Sequence, residues 1–357
     1  MQRIKSVDSL RFPLAVFVVM EHTLLHYSTD GTEPITYLIF DTFIRDNSVP
    51  VFFFISGFLF FSNTEVWNIS VWRNKIKRRI HSLFIPYLIW NTYAILFLWI
   101  AMKCGMVAYM AAGAKFTPSV TNILSCFWAY DNALAGTYLP TIFPINVALW
   151  YVRDLFIICL ITPLIYPILK KYPIPTLIIL LLAWIFTDLY WSTPLFFFSL
   201  GACYSIHKRS LPVLRFKTTT ILSSLYFLSG LIVCLYPKIL ETDYFQYFKI
   251  INIITFLFLA IQIAARLSYN KITSFLSEAS IFLFMSHQPI CGKINKVLIL
   301  VLKPQNGEFL TATNLLSIII TVSGTLAIYY LLSRYMPQTL HIMTGRTSEK
   351  EQKEKRQ

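Results

Sequence analysis

The strongest constraint on this chain is a succession of apolar runs that recur from one end to the other, separated by short polar connections. They fall near 10–28, 48–63, 82–102, 145–168, 174–190, 192–207, 219–237, 247–265, 277–300 and 311–333. A helix needs roughly 17–25 apolar residues to cross a hydrocarbon layer about 30 Å thick, and only helices or closed barrels satisfy every backbone polar group there. Two runs, 48–63 and 192–207, are short for that task. Composition argues against a soluble alternative. Of 357 residues, 56% are hydrophobic and only 13% charged, against about 25% charged in a soluble domain. The expected fold is an all-α, polytopic membrane helix bundle of about ten transmembrane helices.

The net charge of +14 does not mark a nucleic-acid-binding domain, because the basic residues sit in small clusters between apolar runs. That is the pattern produced when positive residues are retained on the inner side of a membrane. With the N-terminus inside, the inner segments hold Arg3, Lys5 and Arg11, then Arg73, Lys75, Lys77, Arg78 and Arg79, then Lys170 and Lys171. Lys208, Arg209, Arg215, Lys217, Arg266 and Lys271 follow, and after the last run come Arg334, Arg346, Lys350, Lys353, Lys355 and Arg356. These are 22 of 31 basic residues, whereas the segment after the first run carries Asp30, Glu33, Asp41 and Asp46. An odd number of crossings breaks the alternation, so both termini are expected in the cytoplasm. Trp67, Trp72, Tyr172, Trp191 and Tyr335 fall near run ends, where an interfacial aromatic belt belongs.

The chain reads as one transmembrane domain, 1–341, and a polar tail, 342–357, expected to be disordered because it has nothing to bury. The first run contains Glu21 and His22 and has no small-residue cleavage site after it, so it reads as a transmembrane helix rather than a signal peptide. The connection 103–144 is long enough to carry a short re-entrant or interfacial helix at its aromatic patch LSCFWAY, 124–130. Six scattered cysteines read as small buried hydrophobes; only Cys104 and Cys126 share a connection and are placed to pair in an oxidising compartment.

The first run also carries the most informative polar residues. Arg11 and His22 are eleven positions apart, which is about 20° around a helix and roughly 16 Å along it. Both therefore lie on one stripe, with Arg11 at the inner boundary and His22 near mid-bilayer. Asp8 is placed to orient the Arg11 guanidinium from three residues before it, and His26 continues the stripe outward. An ionisable group at that depth costs about 2.5–3.5 kcal/mol or more when charged. A neutral His22 bonding a neighbouring helix, with Glu21 meeting a cation, is one reading. Proton transfer near neutral pH by the imidazole is the other. Ser56-Gly57 fits close helix packing or a catalytic role. Arg153 and Asp154 fit a structural pair or an acceptor contact at the outer end of the fourth run. His287 fits a core hydrogen bond or an acceptor site. No zinc-ligand cluster, phosphate loop or nucleophile elbow is present, and no metal is expected.

Five segments in order carry a wider likeness: IKSVDSLRFPLAVFVVMEH (4–22), VPVFFFISGFLFF (49–61), RNKIKRRIHSLFIPYLIW (73–90), ALWYVRDLFIICLITPLIY (148–166) and SFLSEASIFLFMSHQPI (274–290). Together they resemble the acyltransferase 3 family of membrane acyltransferases, whose first helix has an arginine, ten residues and a histidine, here Arg11 and His22. The Arg-x-x-Arg of many members is altered: Arg78 is followed three later by His81, and Arg79 by Ser82, so His81 or Lys75 would take the second arginine's part. The resemblance implies transfer of an acyl group, usually acetyl from acetyl-coenzyme A, to a hydroxyl of a surface glycan or its lipid-linked precursor, in a bacterial inner membrane. Arg11, Lys75, Arg78 and Arg79 would then bind the donor phosphates. His22 would be the base or the acyl carrier. Homo-oligomers are compatible with this. A glycan exporter is the principal rival, because ionisable residues at membrane depth also mark transport pathways. The related halves and matching broken helices of many transporters are not seen here. A non-catalytic relative is a third reading.

Overall fold

The computed structural model describes residues 5–23, 35–105, 119–129, 143–187, 189–267 and 269–346, and every regular element among them is helical. Helices α1 (Lys5–Thr23), α2 (Ile35–Phe43), α3 (Ser48–Phe61) and α4 (Ile69–Arg79) open the chain. A π-helical turn (Ile80–Phe84) joins α4 to α5 (Ile85–Lys103). The short α6 (Val120–Trp128) is followed by α7 (Trp150–Lys171), α8 (Pro173–Phe186) and α9 (Ser192–Ile206). The remaining helices are α10 (Phe216–Leu235), α11 (Phe245–Arg266), α12 (Lys271–Ser286), α13 (Gln288–Leu302), α14 (Gly307–Tyr335) and α15 (Pro337–Thr344).

Five stretches are long and apolar enough to cross a membrane: Ile69–Lys103, Val147–Lys171, Phe216–Leu235, Phe245–Arg266 and Gly307–Tyr335; α3, α8 and α9 are shorter apolar helices. Their outward faces are apolar too, with Phe216 81%, Phe186 70% and Leu164 69% exposed. A soluble monomer rarely gathers large contiguous apolar patches; here hydrocarbon is the solvent that makes such faces inexpensive, and the chain is an integral membrane protein.

Helix α1 is central, packed against α3, α11, α12, α13 and α14. It turns Val7, Leu14, Ala15, Val18 and Val19 into the core. The tightest crossing joins α3 to α9. A Cβ on Gly57 would strike the Phe198 carbonyl, and one on Gly201 would strike the Phe54 carbonyl, so each glycine admits the other helix's backbone. With no hydrophobic drive between helices in lipid, such close packing is what holds them together. The packing reading of Gly57 is therefore the one the structure supports. The short α2 is held by polar groups: Asn252 donates to the Thr42 carbonyl at 3.1 Å and accepts from Ser229 at 2.6 Å.

Several expectations are revised. The third run starts earlier than 82, because the basic cluster continues as helix α4 and passes through the π-turn. Pro86 has no N–H for the Ser82 carbonyl and its ring crowds that oxygen, while the Ile85 amide reaches back to Ile80, five residues away. The ninth run, read as one span over 277–300, is broken at His287 into α12 and α13. Residues 342–346, assigned to the polar tail, are ordered: α15 runs to Thr344, and the Met343 carbonyl accepts from Trp90 Nε1 at 3.0 Å. The helix expected at 124–130 is found as α6, beginning slightly earlier. Cys104 is exposed and Cys126 buried, and both are free thiols. His26 and residues 347–357 lie outside the described residues.

Candidate active site

A cavity of about 280 Å³ lies between α1, α3, α7, α12 and the π-turn. Arg11, Arg79 and Arg346 line it, with no aspartate or glutamate among the lining residues. Arg11 and Arg346 keep 36% and 29% of their side-chain surface exposed, which places them at its mouth. The walls also include Phe52, Ser56, Tyr151, Ser277, Ser280, Phe284 and Met285. A concave, largely apolar pocket with a few converging polar groups is the usual form of a ligand site. Arg11 near the start of the described chain and Arg346 at its end line the same cavity.

The cations are fixed from different sides. Asp8 pairs with Arg11 at 3.2 Å from three residues earlier, as the spacing predicts. Arg79 lies with its guanidinium 5.7 Å from the centre of the Phe60 ring, and Lys75 at 5.4 Å from the same ring. Lys75 Nζ donates to the Phe60 carbonyl at 2.6 Å. Lys75 and Arg78 line a different, open depression formed by residues 63–66, 71 and 74. His81 is exposed. Of the four cations expected to hold a donor, then, only Arg11 and Arg79 reach the cavity. Adjacent residues diverge by about 100° on a helix, so Arg78 cannot share the direction of Arg79.

His22 and His287 are brought together at the far end of α1, with ring centroids 5.3 Å apart and planes inclined by 39°. Neither lines the cavity. The Phe284 ring, which does, lies 6.3 Å from that of His287. His287 is fully buried, and its Nδ1 lies 3.1 Å from the Leu283 carbonyl. A carbonyl only accepts, so Nδ1 carries the proton, and Nε2 of the neutral ring presents a lone pair. That Nε2 is buried without a hydrogen-bond partner among the described residues. The helix break explains the position. Pro289 has no N–H, so the Met285 carbonyl four residues earlier loses its helical donor, and Asn146 Nδ2 takes it at 3.1 Å. The end of α1 is tied to α13 by Asn295 Nδ2 donating to the Thr23 carbonyl at 3.1 Å, and Cys291 Sγ lies 3.8 Å from the His22 carbonyl.

Glu21, half-buried, occupies the position beside His22 on α1. Ser56 is on the cavity wall, 2.9 Å from the Tyr151 hydroxyl. Arg153 and Asp154 are not on that wall. Asp154 is fully buried, accepting from Arg153 Nε at 2.7 Å and from the Tyr190 hydroxyl at 2.5 Å. Arg153 also donates to Tyr190 at 3.1 Å and to the Trp128 carbonyl. This cluster joins α6, α7 and the α8–α9 connection, the structural reading of the pair. Tyr151, Ser277, Ser280, Asn146 and Arg346 were not singled out from the sequence. Asn146 had one available signal, a polar residue at the start of an apolar run. Arg346 had none, standing among the charges of a polar tail.

A family model described as an acyltransferase domain, that of the acyltransferase 3 family, matches residues 4–334. The chain belongs to this family. It is therefore a membrane acyltransferase, and the exporter reading gives way. It is also similar to the succinoglycan biosynthesis protein ExoH of Rhizobium meliloti (strain 1021), 26% identical over 133 residues, which are 37% of this chain and 32% of that protein. The aligned part thus covers about a third of that relative's length. No solved structure matches the acyltransferase.

Proposed function

We propose that this acyltransferase moves an acyl group, acetyl in the simplest case, from cytosolic acyl-coenzyme A to a hydroxyl of a cell-surface glycan or its lipid-linked precursor. It does so in a bacterial inner membrane, from a bundle of ten crossings with both ends in the cytosol. The observation that carries the reading is a single cavity lined by Arg11, Arg79 and Phe284, with the Phe284 ring 6.3 Å from that of His287 in the His22–His287 pair. The match to a succinoglycan biosynthesis protein supports a polysaccharide acceptor.

Guanidinium groups suit the donor's phosphates because they offer forked donors to phosphate oxygens. The apolar walls then receive the pantetheine arm, and a small movement of Phe284 opens the way to the histidines. His22 takes the proton of the acceptor hydroxyl as its oxygen attacks the thioester carbonyl. The C–S bond breaks, the acyl group stays on oxygen, and coenzyme A leaves as the thiol with that proton. In the covalent variant the His22 nitrogen attacks the thioester carbonyl, the C–S bond breaks and coenzyme A leaves as the thiolate. The hydroxyl oxygen then attacks the acyl-imidazole, the C–N bond breaks to return His22, and the hydroxyl proton passes to the thiolate. His287 Nε2 accepts a hydrogen bond from the acceptor and orients it.

The test is transfer from radiolabelled acetyl-coenzyme A in membranes carrying the wild type, Arg11→Ala or His22→Ala at matched expression, with host glycans as acceptors. Label reaching glycan with the wild type and lost with His22→Ala supports the reading, and label trapped on the wild-type protein selects the covalent route. Undiminished transfer by a well-expressed His22→Ala protein would disprove the role given to that imidazole.

A further inference from the structure

We propose that Arg346, on the segment that follows α15, is a third phosphate-binding guanidinium of the donor site. This rests on the reading of the cavity as a site for an acyl-coenzyme A donor.

Four observations place it there. First, Thr344, Gly345 and Arg346 line the same cavity as Arg11 and Arg79. Second, the segment is seated, not draped. The Gly345 backbone has φ of +66°, which favours glycine, and a Cβ there would run into the backbone of His81 and Ser82 in the π-turn. The Arg346 amide closes the end of α15 on the His341 carbonyl at 3.0 Å. Third, the guanidinium is held by Glu278 at 3.4 Å and by the Tyr329 hydroxyl at 3.3 Å, both through Nη1. An arginine gripped through one nitrogen still has other N–H groups to offer an anion. Fourth, the lining holds three arginines and no carboxylate, so the cavity presents N–H donors to an anion, with one positive charge left over once Asp8 and Glu278 are counted behind it. The neighbouring carboxylates Asp8 and Glu278 orient guanidinium groups without lining the cavity themselves.

The position also has consequences for the donor. Arg346 follows residue 334, where the family match ends, so this contact is supplied by the chain beyond the matched segment. The close approach of Gly345 to the π-turn helps to seat it at the site.

The experiment uses the full-length protein in lipid nanodiscs and two probes, coenzyme A and the phosphate-free pantetheine. Arg346→Ala and Arg346→Gln are compared with wild type and with Arg334→Ala, which removes an exposed positive charge outside the cavity. The expected result is a loss of about tenfold or more in coenzyme A affinity for both Arg346 variants, the scale of one charged hydrogen bond. Pantetheine affinity and the Arg334→Ala values stay unchanged, and Arg346→Lys recovers part of the loss. Equal loss of pantetheine binding would mean that Arg346 shapes the fold instead of meeting phosphate, and unchanged coenzyme A affinity would equally overturn the proposal. If wild type binds coenzyme A at no measurable level, the donor reading fails and takes this inference with it.

Discussion

Replacing Asp154 by alanine removes a carboxylate from a buried cluster built on Arg153, Tyr190 and the Trp128 carbonyl. Asp154 is completely buried and Arg153 is 7% exposed, so water does little to screen the guanidinium left behind. Its other contacts among the described residues include a carbonyl, a phenol and the Trp128 ring 5.0 Å away. Breaking a buried pair from one side costs about 3–5 kcal/mol, a factor of roughly 10² to 10⁴ in the folded population. Removing both charges together, as Arg153→Met with Asp154→Leu, leaves no stranded ion and is expected to cost far less than Asp154→Ala alone. Tyr190→Phe removes two hydrogen bonds, the one given to Asp154 and the one taken from Arg153, and should cost about 1–3 kcal/mol. Denaturant unfolding in mixed micelles measures all three, with acyl transfer assayed on the same preparations. The reasoning is refuted by an Asp154→Ala protein within about 1 kcal/mol of wild type. If such a protein had also lost transfer, the pair would be an acceptor contact.

Three further outcomes follow from the packing and the helix break. Gly57→Ala and Gly201→Ala each drive a Cβ into the opposing carbonyl, and each should destabilise by about 1–3 kcal/mol. Because either substitution forces the same two helices apart, the double variant should cost clearly less than the sum, and additive unfolding energies would contradict the shared crossing. Asn146→Leu strands the Met285 carbonyl at a cost of about 1–3 kcal/mol; Pro289→Ala restores a backbone donor, so the cost should shrink in that background. The same unfolding measurements test it, and an equal penalty with and without Pro289 would show that the carbonyl is not what Asn146 serves.

Much of the site's first helix was legible because it depends on local geometry alone. An eleven-residue interval puts Arg11 and His22 on one stripe, and a three-residue interval puts Asp8 against Arg11; the ion pair is present at 3.2 Å. The cation cluster was less legible. Lys75, Arg78 and Arg79 look equivalent in sequence, yet a helix sends them in different directions, and only Arg79 reaches the cavity.

What the amino-acid sequence by itself determined is the solvent and the class of fold. Repeated apolar runs with few charges can satisfy their backbone only as helices in lipid, and each helix bonds within itself. Tertiary structure decided which helices meet. That Gly57 faces Gly201, that His287 comes to lie beside His22 from 265 residues away, and that Arg346 returns to the mouth held by Arg11 depend on contacts between distant segments. In hydrocarbon those contacts are set by close packing and by single hydrogen bonds such as Asn146 to Met285, and neither leaves a periodic trace in the chain.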